Sequence, residues 1–363
     1  MNLFKKIFPD RLHRYWKKNE KSYKIDDTLR HITNSFIKSK SYKMVSNYWH
    51  ILSVHNYEVI LDKGIKVYGS TVAKNYYTFT EIYDEWIEGS INNLKSYPYN
   101  INSLDLFKNH DGLKLKESIT YNIICYLTFH NLKKKNSLQH LNKLNDKSFL
   151  GFNDPFINIE GFKISTDKVI SLLDYEQIQK AYNLKKFKKI LEIGAGSGRV
   201  CDTILSIEKH LNYIICDIAP ALYLSYTRLK LAFPNKKISL LIDVNNKVEL
   251  EKQIENNDIS FIFPHQLEIL NGKSVDLILG IDCFHEMDKS INDYYFKLIN
   301  NISKNFYFSI WELNLLPGSG IFKKTYLEYE RGDYNIPNNW KTILKENLVF
   351  PSNQISIAFE IID

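Results

Sequence analysis

Cysteine is scarce in this chain, and its placement gives no sign of metal or redox duty. The four residues Cys125, Cys201, Cys216 and Cys283 each lie in or beside an apolar run, and none forms a C-x-x-C pair. That pattern argues against a disulfide scaffold or a zinc ribbon and predicts buried thiols in a reducing compartment. Long hydrophobic runs are missing as well. No stretch reaches the ~18 consecutive apolar residues of a spanning helix, and Met1-Asn2-Leu3-Phe4-Lys5-Lys6-Ile7-Phe8-Pro9 is too short and too charged for a signal peptide. The expected location is the cytoplasm. No internal repeat, zinc-finger spacing or RNA-stacking sheet motif occurs either, so no nucleic-acid partner is expected.

What is present describes an ordinary globular protein of more than one domain. At 363 residues, with 44% hydrophobic and 25% charged residues, the chain exceeds one typical domain and can bury a sizeable core. The abundance of tyrosine, lysine, asparagine and isoleucine is a low-GC coding bias and carries no function. The formal charge is +7, and basic residues crowd the start: Lys5, Lys6, Arg11, Arg14, Lys17, Lys18, Lys21 and Lys24. Nucleic acid, an anionic membrane face or a phosphate-bearing substrate would each suit such a patch. A solvated helix face is the plainer reading, and peripheral membrane association through this segment stays open, as does the oligomeric state.

Two regions separate by pattern. Residues 1–150 read as a mainly helical N-terminal domain, with apolar positions such as Trp49, Leu52, Tyr57 and Ile60 returning every three or four residues. Gly64 and Gly69 are expected to break these helices, and a further helix is expected from Leu115 to Leu132, closed by lysines that suit its C-terminus. Asn136 to Lys147 is the expected linker. Residues 151–363 alternate strands and helices. Ser165-Thr166-Asp167 caps a helix from Lys168 to Asn183, and strands follow at Lys189–Ile193, Tyr213–Cys216, Ser260–Phe263, Val275–Ile281 and Phe306–Trp311, with helices between them. Such alternation implies a parallel sheet with right-handed crossovers. Ile355 to Ile362 reads as a late antiparallel strand, while Ile238–Ile242 with a helix from Lys247 to Asn256 reads as an insertion.

The segment Lys189-Ile190-Leu191-Glu192-Ile193-Gly194-Ala195-Gly196-Ser197-Gly198-Arg199 carries the strongest signal. Glycines let the backbone approach a ligand where a Cβ would collide, and the following helix offers unpaired N–H groups. A dinucleotide fingerprint wants G-x-G-x-x-G. Here the third glycine comes one residue early, and its place is taken by Arg199. This points away from NAD and towards S-adenosylmethionine, which has no phosphates but needs a flat shelf. Asp217 ends the next strand, at about the ~20-residue offset of a ribose-binding acid.

Further blocks narrow the match: Asp217-Ile218-Ala219-Pro220-Ala221-Leu222-Tyr223-Leu224-Ser225, Phe233-Pro234, Pro264-His265-Gln266-Leu267-Glu268, Asp276-Leu277, and Ile281-Asp282-Cys283-Phe284-His285-Glu286-Met287-Asp288. Across residues 160–345 the chain resembles the sugar O-methyltransferases of bacterial surface-polysaccharide gene sets, departing at Ala219 where a second proline is expected. The resemblance implies a class I methyltransferase fold, Rossmann-like, with a seven-stranded mostly parallel sheet beside the helical N-terminal domain. It implies methyl transfer from S-adenosylmethionine to a hydroxyl of a sugar, sugar nucleotide or glycan in capsule, lipopolysaccharide or other surface-glycan assembly.

Ligands of such sheets sit at the carboxyl ends of the strands, where strand order reverses. Glu192 is placed to hold the methionine ammonium. Gly194, Ala195, Gly196 and Gly198 form the shelf, Asp217 takes the ribose, Ile218 and Leu222 floor the adenine, and His265 and Gln266 meet its edge. Asp282 lies at both the cofactor and the acceptor. His285 is the candidate general base, with Asp282 and Glu286 beside it to fix its tautomer. Asp282, Glu286 and Asp288 would also suit magnesium; the metal-free form is preferred and no metal ligand is assigned. Trp311 and Glu312 end the fifth strand, with Asn314 just beyond, and the tryptophan is suited to stack on a pyranose. Trp49, His50, Asn75, Tyr76 and Tyr77 are the acceptor contacts expected from the first domain. Two rivals stay open: an RNA or protein methyltransferase, and a catalytically silent scaffold of the same fold.

Overall fold

Alternation of side chains along short strands is what builds the centre of the molecule. The computed structural model describes residues 11–75, 106–287, 289–311, 315–317, 326–328, 334–348 and 354–362. Strands β3 (Lys189–Ile193), β4 (Asn212–Cys216), β6 (Ile259–Ile262), β7 (Leu277–Ile281) and β8 (Asn305–Trp311) are almost wholly buried. Successive residues point to opposite faces. Ile190, Tyr213, Ile215, Phe261, Leu277 and Leu279 therefore join one core cluster, and Leu191, Ile214, Ile262, Ile278 and Phe308 join another on the far side. A sheet apolar on both faces needs a layer on each.

The strand order is β11–β12–β8–β7–β3–β4–β6–β5, with β5 at Ile238–Leu240, β11 at Trp340–Leu348 and β12 at Gln354–Ile361. All neighbours pair in parallel except β12, which runs antiparallel to both β8 and β11. Order reverses between β3 and β7, which opens a crevice at their carboxyl ends. This is the class I methyltransferase arrangement, with the late antiparallel strand where it was expected. The sheet has eight strands rather than seven, because β5, expected to be part of an insertion, pairs with β6 as an added parallel edge. Two small antiparallel pairs lie outside it: β1 (Ile157–Ile159) with β2 (Phe162–Ile164), and β9 (Leu315–Pro317) with β10 (Tyr326–Glu328).

Helices α1 (Arg11–Asn19), α2 (Asp27–Lys38), α3 (Asn47–Asn75) and α4 (Leu115–Lys134) form the N-terminal layer. Short helices α5 (Leu138–Leu141) and α6 (Lys147–Gly151) lead to α7 (Thr166–Ala181), capped by the Ser165 hydroxyl, and then to α8 (Arg199–Ile207) and α9 (Ala219–Ala232). The far face carries α10 (Lys247–Glu255) and α11 (Lys289–Ile302). On α1, Leu12 and Trp16 face inward while Arg11, Arg14, Lys17 and Lys18 lie outside; Lys5 and Lys6 are outside the described residues. No helix among the described residues is long and apolar enough to cross a membrane.

Two local expectations change. Gly64 does interrupt α3, at φ 85° and ψ 165°, but Gly69 does not: it lies within the helix, where an added Cβ would come 2.4 Å from the Phe152 ring. Gly69 thus lets α3 press onto its neighbour. The expected linker is built into the fold, since Asn145 donates to Asp202 on α8 (2.9 Å) and His140 pairs with Glu176 on α7 (2.9 Å). One buried cluster runs without a break from Leu12 and Trp16 through Tyr121 to Ile190 and Tyr307.

Candidate active site

The turn after β3 holds Gly194, Gly196 and Gly198 at φ 71°, 57° and 78°, a region other residues rarely enter. A Cβ at Gly194 would lie 2.6 Å from that of Cys283, and one at Gly198 would lie 3.1 Å from Ser225, whereas at Gly196 nothing stands within 4 Å. The outer two glycines serve packing, and the middle one faces open space. Asp217, one strand over, binds the turn: its Oδ2 accepts from the Gly196 N–H and its Oδ1 from the Ile218 N–H, both at 2.7 Å. Burial lifts its pKa to about 7 against the pull of those two donors. Carboxylate oxygens offer about four acceptor positions, so capacity for a ligand remains.

Around this turn lies a cavity of about 410 Å³, bounded by the ends of β3, β4 and β7 and by the inner face of α3. That is the size of a small-molecule site, ~300–1,000 Å³. Glu192, Gly194, Ala195, Gly196, Asp217, Ile218, Asp282 and Glu286 all line it. Glu192 accepts from the Tyr213 hydroxyl at 2.8 Å, and desolvation raises its pKa to about 7. Gly198 stands just behind, as the cap residue of α8.

Asp282 lines the cavity and also braces the site. Its Oδ2 takes Arg199 Nη2 at 3.1 Å and its Oδ1 takes the Gln354 amide at 2.8 Å, while Arg199 Nη1 reaches Asp174 at 2.6 Å and Ser171 at 3.1 Å. This chain of contacts ties α7, α8, the end of β7 and β12 together under the cavity floor. Asp282 sits at φ 55°, which aspartate tolerates better than most residues.

The turn Phe284–Glu286 carries two of the expected acid–base residues, His285 and Glu286. Phe284 enters the aromatic cluster under the sheet, and His285 is buried away from the cavity, its pKa lowered to about 3 by desolvation alone. The structure thus places His285, the expected base, off the cavity wall, with burial favouring its neutral form. Glu286 faces the cavity instead. Its Oε2 accepts from the Trp49 indole N–H at 3.1 Å, and its pKa is raised to about 8, first by desolvation and then by Asp282.

His265 and Gln266 are also absent from the cavity wall. His265 Nδ1 lies 2.9 Å from the Ser41 hydroxyl. The Gln266 amide accepts from the Phe263 N–H and donates to the carbonyls of Leu241 and Val244, all within 2.8 Å. These contacts join the N-terminal layer and the β5 segment to the sheet. Leu222 is likewise core.

Of the expected acceptor contacts, Trp49 lines the cavity and His50 does not; it is buried against Tyr42, with its pKa lowered to about 4 by desolvation. Tyr76, Tyr77, Asp288, Glu312 and Asn314 and the side chains of Asn75 and Trp311 lie outside the described residues. Among the described residues no group of three or more His, Cys, Asp or Glu is arranged to hold a metal. Sequence reasoning missed Asp167, Tyr68, Asn56 and Val59 on the wall and the bracing by Arg199. The one available signal was the inner stripe of α3, where Trp49, Leu52, Asn56 and Val59 recur at helical spacing.

No family model matches the chain, and neither does any curated protein. Solved structures do match in part. The pyocyanin biosynthetic protein PhzM is 11% identical, with a TM-score of 0.33 over 54% of this chain and 58% of its own, so the chain spans little more than half of that protein. Geranyl diphosphate C-methyltransferase from Streptomyces coelicolor A3(2), in complex with Mg²⁺, geranyl diphosphate and S-adenosyl-L-homocysteine, is 9% identical, with a TM-score of 0.37 over 55% of this chain and 81% of its own. Magnesium protoporphyrin IX methyltransferase from Synechocystis PCC 6803, with bound S-adenosylhomocysteine, is 10% identical, with a TM-score of 0.36 over 59% and 92%. Likeness at this level concerns the fold alone. The reading of the site stands on this chain's own geometry.

Proposed function

We propose that this chain is an S-adenosylmethionine-dependent O-methyltransferase that methylates a sugar hydroxyl in surface-glycan assembly, with Glu286 as its general base. The observation that carries the reading is convergence. A glycine shelf with open space at Gly196, an acid at the end of the neighbouring strand and a carboxylate poised near neutrality face one cavity at the point where strand order reverses. The sugar acceptor is supported by the Pro-Ala-Leu-Tyr-Leu-Ser and Phe-His-Glu-Met-Asp blocks.

The residues fit the cofactor. Asp217 would take its ribose, the Gly194–Gly198 turn would lie under it, and Glu192 would face its amino-acid end. S-adenosylmethionine brings a methyl group already activated by a sulfonium, so the chain need only prepare the acceptor. An acid-lined cavity suits that positive charge. Glu286 is the group able to draw a proton from a hydroxyl: its Oε2 is held by Trp49, which fixes the carboxylate while Oε1 is open to the acceptor. Proton removal of this kind contributes roughly 10²–10⁴ in rate. The inner face of α3 roofs the site and helps exclude water.

Calorimetry tests the cofactor site. Wild type should bind S-adenosylmethionine, and Asp217→Ala should bind at least tenfold more weakly; equal titrations would remove the site. Glu286→Gln should bind the cofactor as wild type does yet lose methylation of glycan from cells that lack the protein by roughly 10²–10⁴. Unchanged turnover would sink the role of Glu286. Cofactor binding without turnover on any glycan would instead favour a silent scaffold.

A further inference from the structure

Along the first limb of α3 one row of cavity-lining side chains carries a single carboxamide. Trp49, Leu52, Asn56 and Val59 share the face that lines the cavity. Asn56 is only 8% exposed, yet its carboxamide makes no hydrogen bond within the described chain. Neither amide atom is among those sealed off from both solvent and partners, so both reach the open space of the cavity. Gln266, Gln354 and Asn122 are committed, to backbone, to Asp282, and to His110 and the Leu106 carbonyl; Gln177 has an unpaired oxygen too, but it is sealed in the core, whereas Asn56 opens onto the cavity. Leucine at this site would extend the stripe and pack without desolvating a polar group. An unpaired amide that opens onto a cavity can be satisfied there by a ligand.

Its place in the cavity says what. The cofactor groups rise from β3 and β4, whereas Asn56 descends from the roof, two helical turns along the stripe from the Trp49 that holds Glu286. We infer that Asn56 recognises the acceptor, its adjacent C=O and N–H pairing with two neighbouring hydroxyls of a sugar ring while Leu52 and Val59 cover the ring's C–H surface. A carboxamide presents one acceptor and two donors side by side, which suits a vicinal diol and offers nothing to a phosphate that a cation would not do better. This inference rests on the methyltransferase reading above and names the chemistry of its acceptor. A deoxy analogue lacking one of the two hydroxyls leaves the amide unpaired and is rejected strongly, by as much as ~10⁴.

The test uses the full chain and two variants, Asn56→Leu and Asn56→Ala. Without ligand, Asn56→Leu is expected to melt about 2 °C above wild type, because the stripe becomes wholly apolar. Both variants should bind S-adenosylmethionine within twofold of wild type by calorimetry. With S-adenosylhomocysteine present, methyl glycosides of hexoses and 6-deoxyhexoses should raise the melting temperature of wild type and of neither variant; the alanine controls for the bulk of leucine. A destabilised leucine variant would make Asn56 structural and overturn the inference. A tenfold loss of cofactor affinity in both variants would assign the amide to the cofactor and overturn it equally. No glycoside shift in wild type would overturn the diol assignment. A wild type that fails to bind S-adenosylmethionine would instead sink the methyltransferase reading itself, a result visible before any variant is made.

Discussion

Three carboxyl groups on the cavity wall titrate near neutrality because burial disfavours their charged forms: Glu192 and Asp217 at about 7 and Glu286 at about 8. For Glu286 as the proposed base this sets an expected pH dependence of activity. A base must be ionised to accept a proton, so kcat/KM should rise about tenfold per pH unit up to about pH 8 and then level off. A flat profile between pH 6 and 8 would mean that another group, or none, takes the proton. The same shift has the opposite sign for stability. Between the ordinary value of 4.5 and about 8 the folded protein retains a proton that the unfolded chain releases, so stability falls as pH rises through that window. Glu286→Gln removes this penalty. Its melting temperature relative to wild type should climb from pH 5 to pH 8, and a constant difference would show that the carboxyl is not perturbed as described.

Glu286 owes its position to the element that carries it. Phe284 stacks on Phe296, with ring centroids 5.6 Å apart, and meets Phe306 and Phe308 edge to face, so the short helical turn Phe284–Glu286 is anchored from below by an aromatic ring. That ring lies directly beneath Gly280 of β7, where an added Cβ would come within 2.2 Å of it. Gly280→Ala should therefore displace the turn. We expect stability to fall by about 1–3 kcal/mol and kcat to fall by up to ~10² through misplacement of the base, with S-adenosylmethionine affinity nearly unchanged. Loss of cofactor binding along with kcat would instead indicate collapse of the crevice. The sequence showed that Asp282 to Asp288 follows a strand and carries acid–base residues, but it favoured His285. Which of two adjacent side chains faces the cavity depends on how Phe284 seats in the far core, a tertiary fact with no local signature. The edge strand β5 was misread for a similar reason: three residues are too few to show a period, and its place comes from hydrogen bonds to β6. Where periodicity is long or punctuation strong, as in β3, β4, the Gly194–Gly198 turn and the Ser165 cap, chain and structure agree closely.

At the scale of the whole molecule, the sheet and the N-terminal helices are one packed body as far as the buried contacts go. The kink at Gly64 lets the two limbs of α3 follow the cavity, Gly69 allows its second limb to approach Phe152 and Leu224, and Arg228 on α9 holds Asp154 through two hydrogen bonds of 2.7 and 3.0 Å while lying over the Phe152 ring. Pattern alone suggested a boundary near residue 150, because composition changes there; it had no means of registering that the helical layer supplies the roof of a cavity whose floor lies more than a hundred residues further on. This arrangement has a calorimetric consequence. If the roof and the sheet share one cooperative core, thermal unfolding should be a single transition, and S-adenosylmethionine at 100 times its dissociation constant should move that whole transition upward by about 2.7 kcal/mol of added stability. Two transitions, with the ligand shifting only the later one, would mean that the helices unfold independently of the cofactor and that residues 1–150 are a separable domain resting on the site. One transition moving as a unit would mean that cofactor binding is felt at Trp16, which does not line the cavity, through continuous packing.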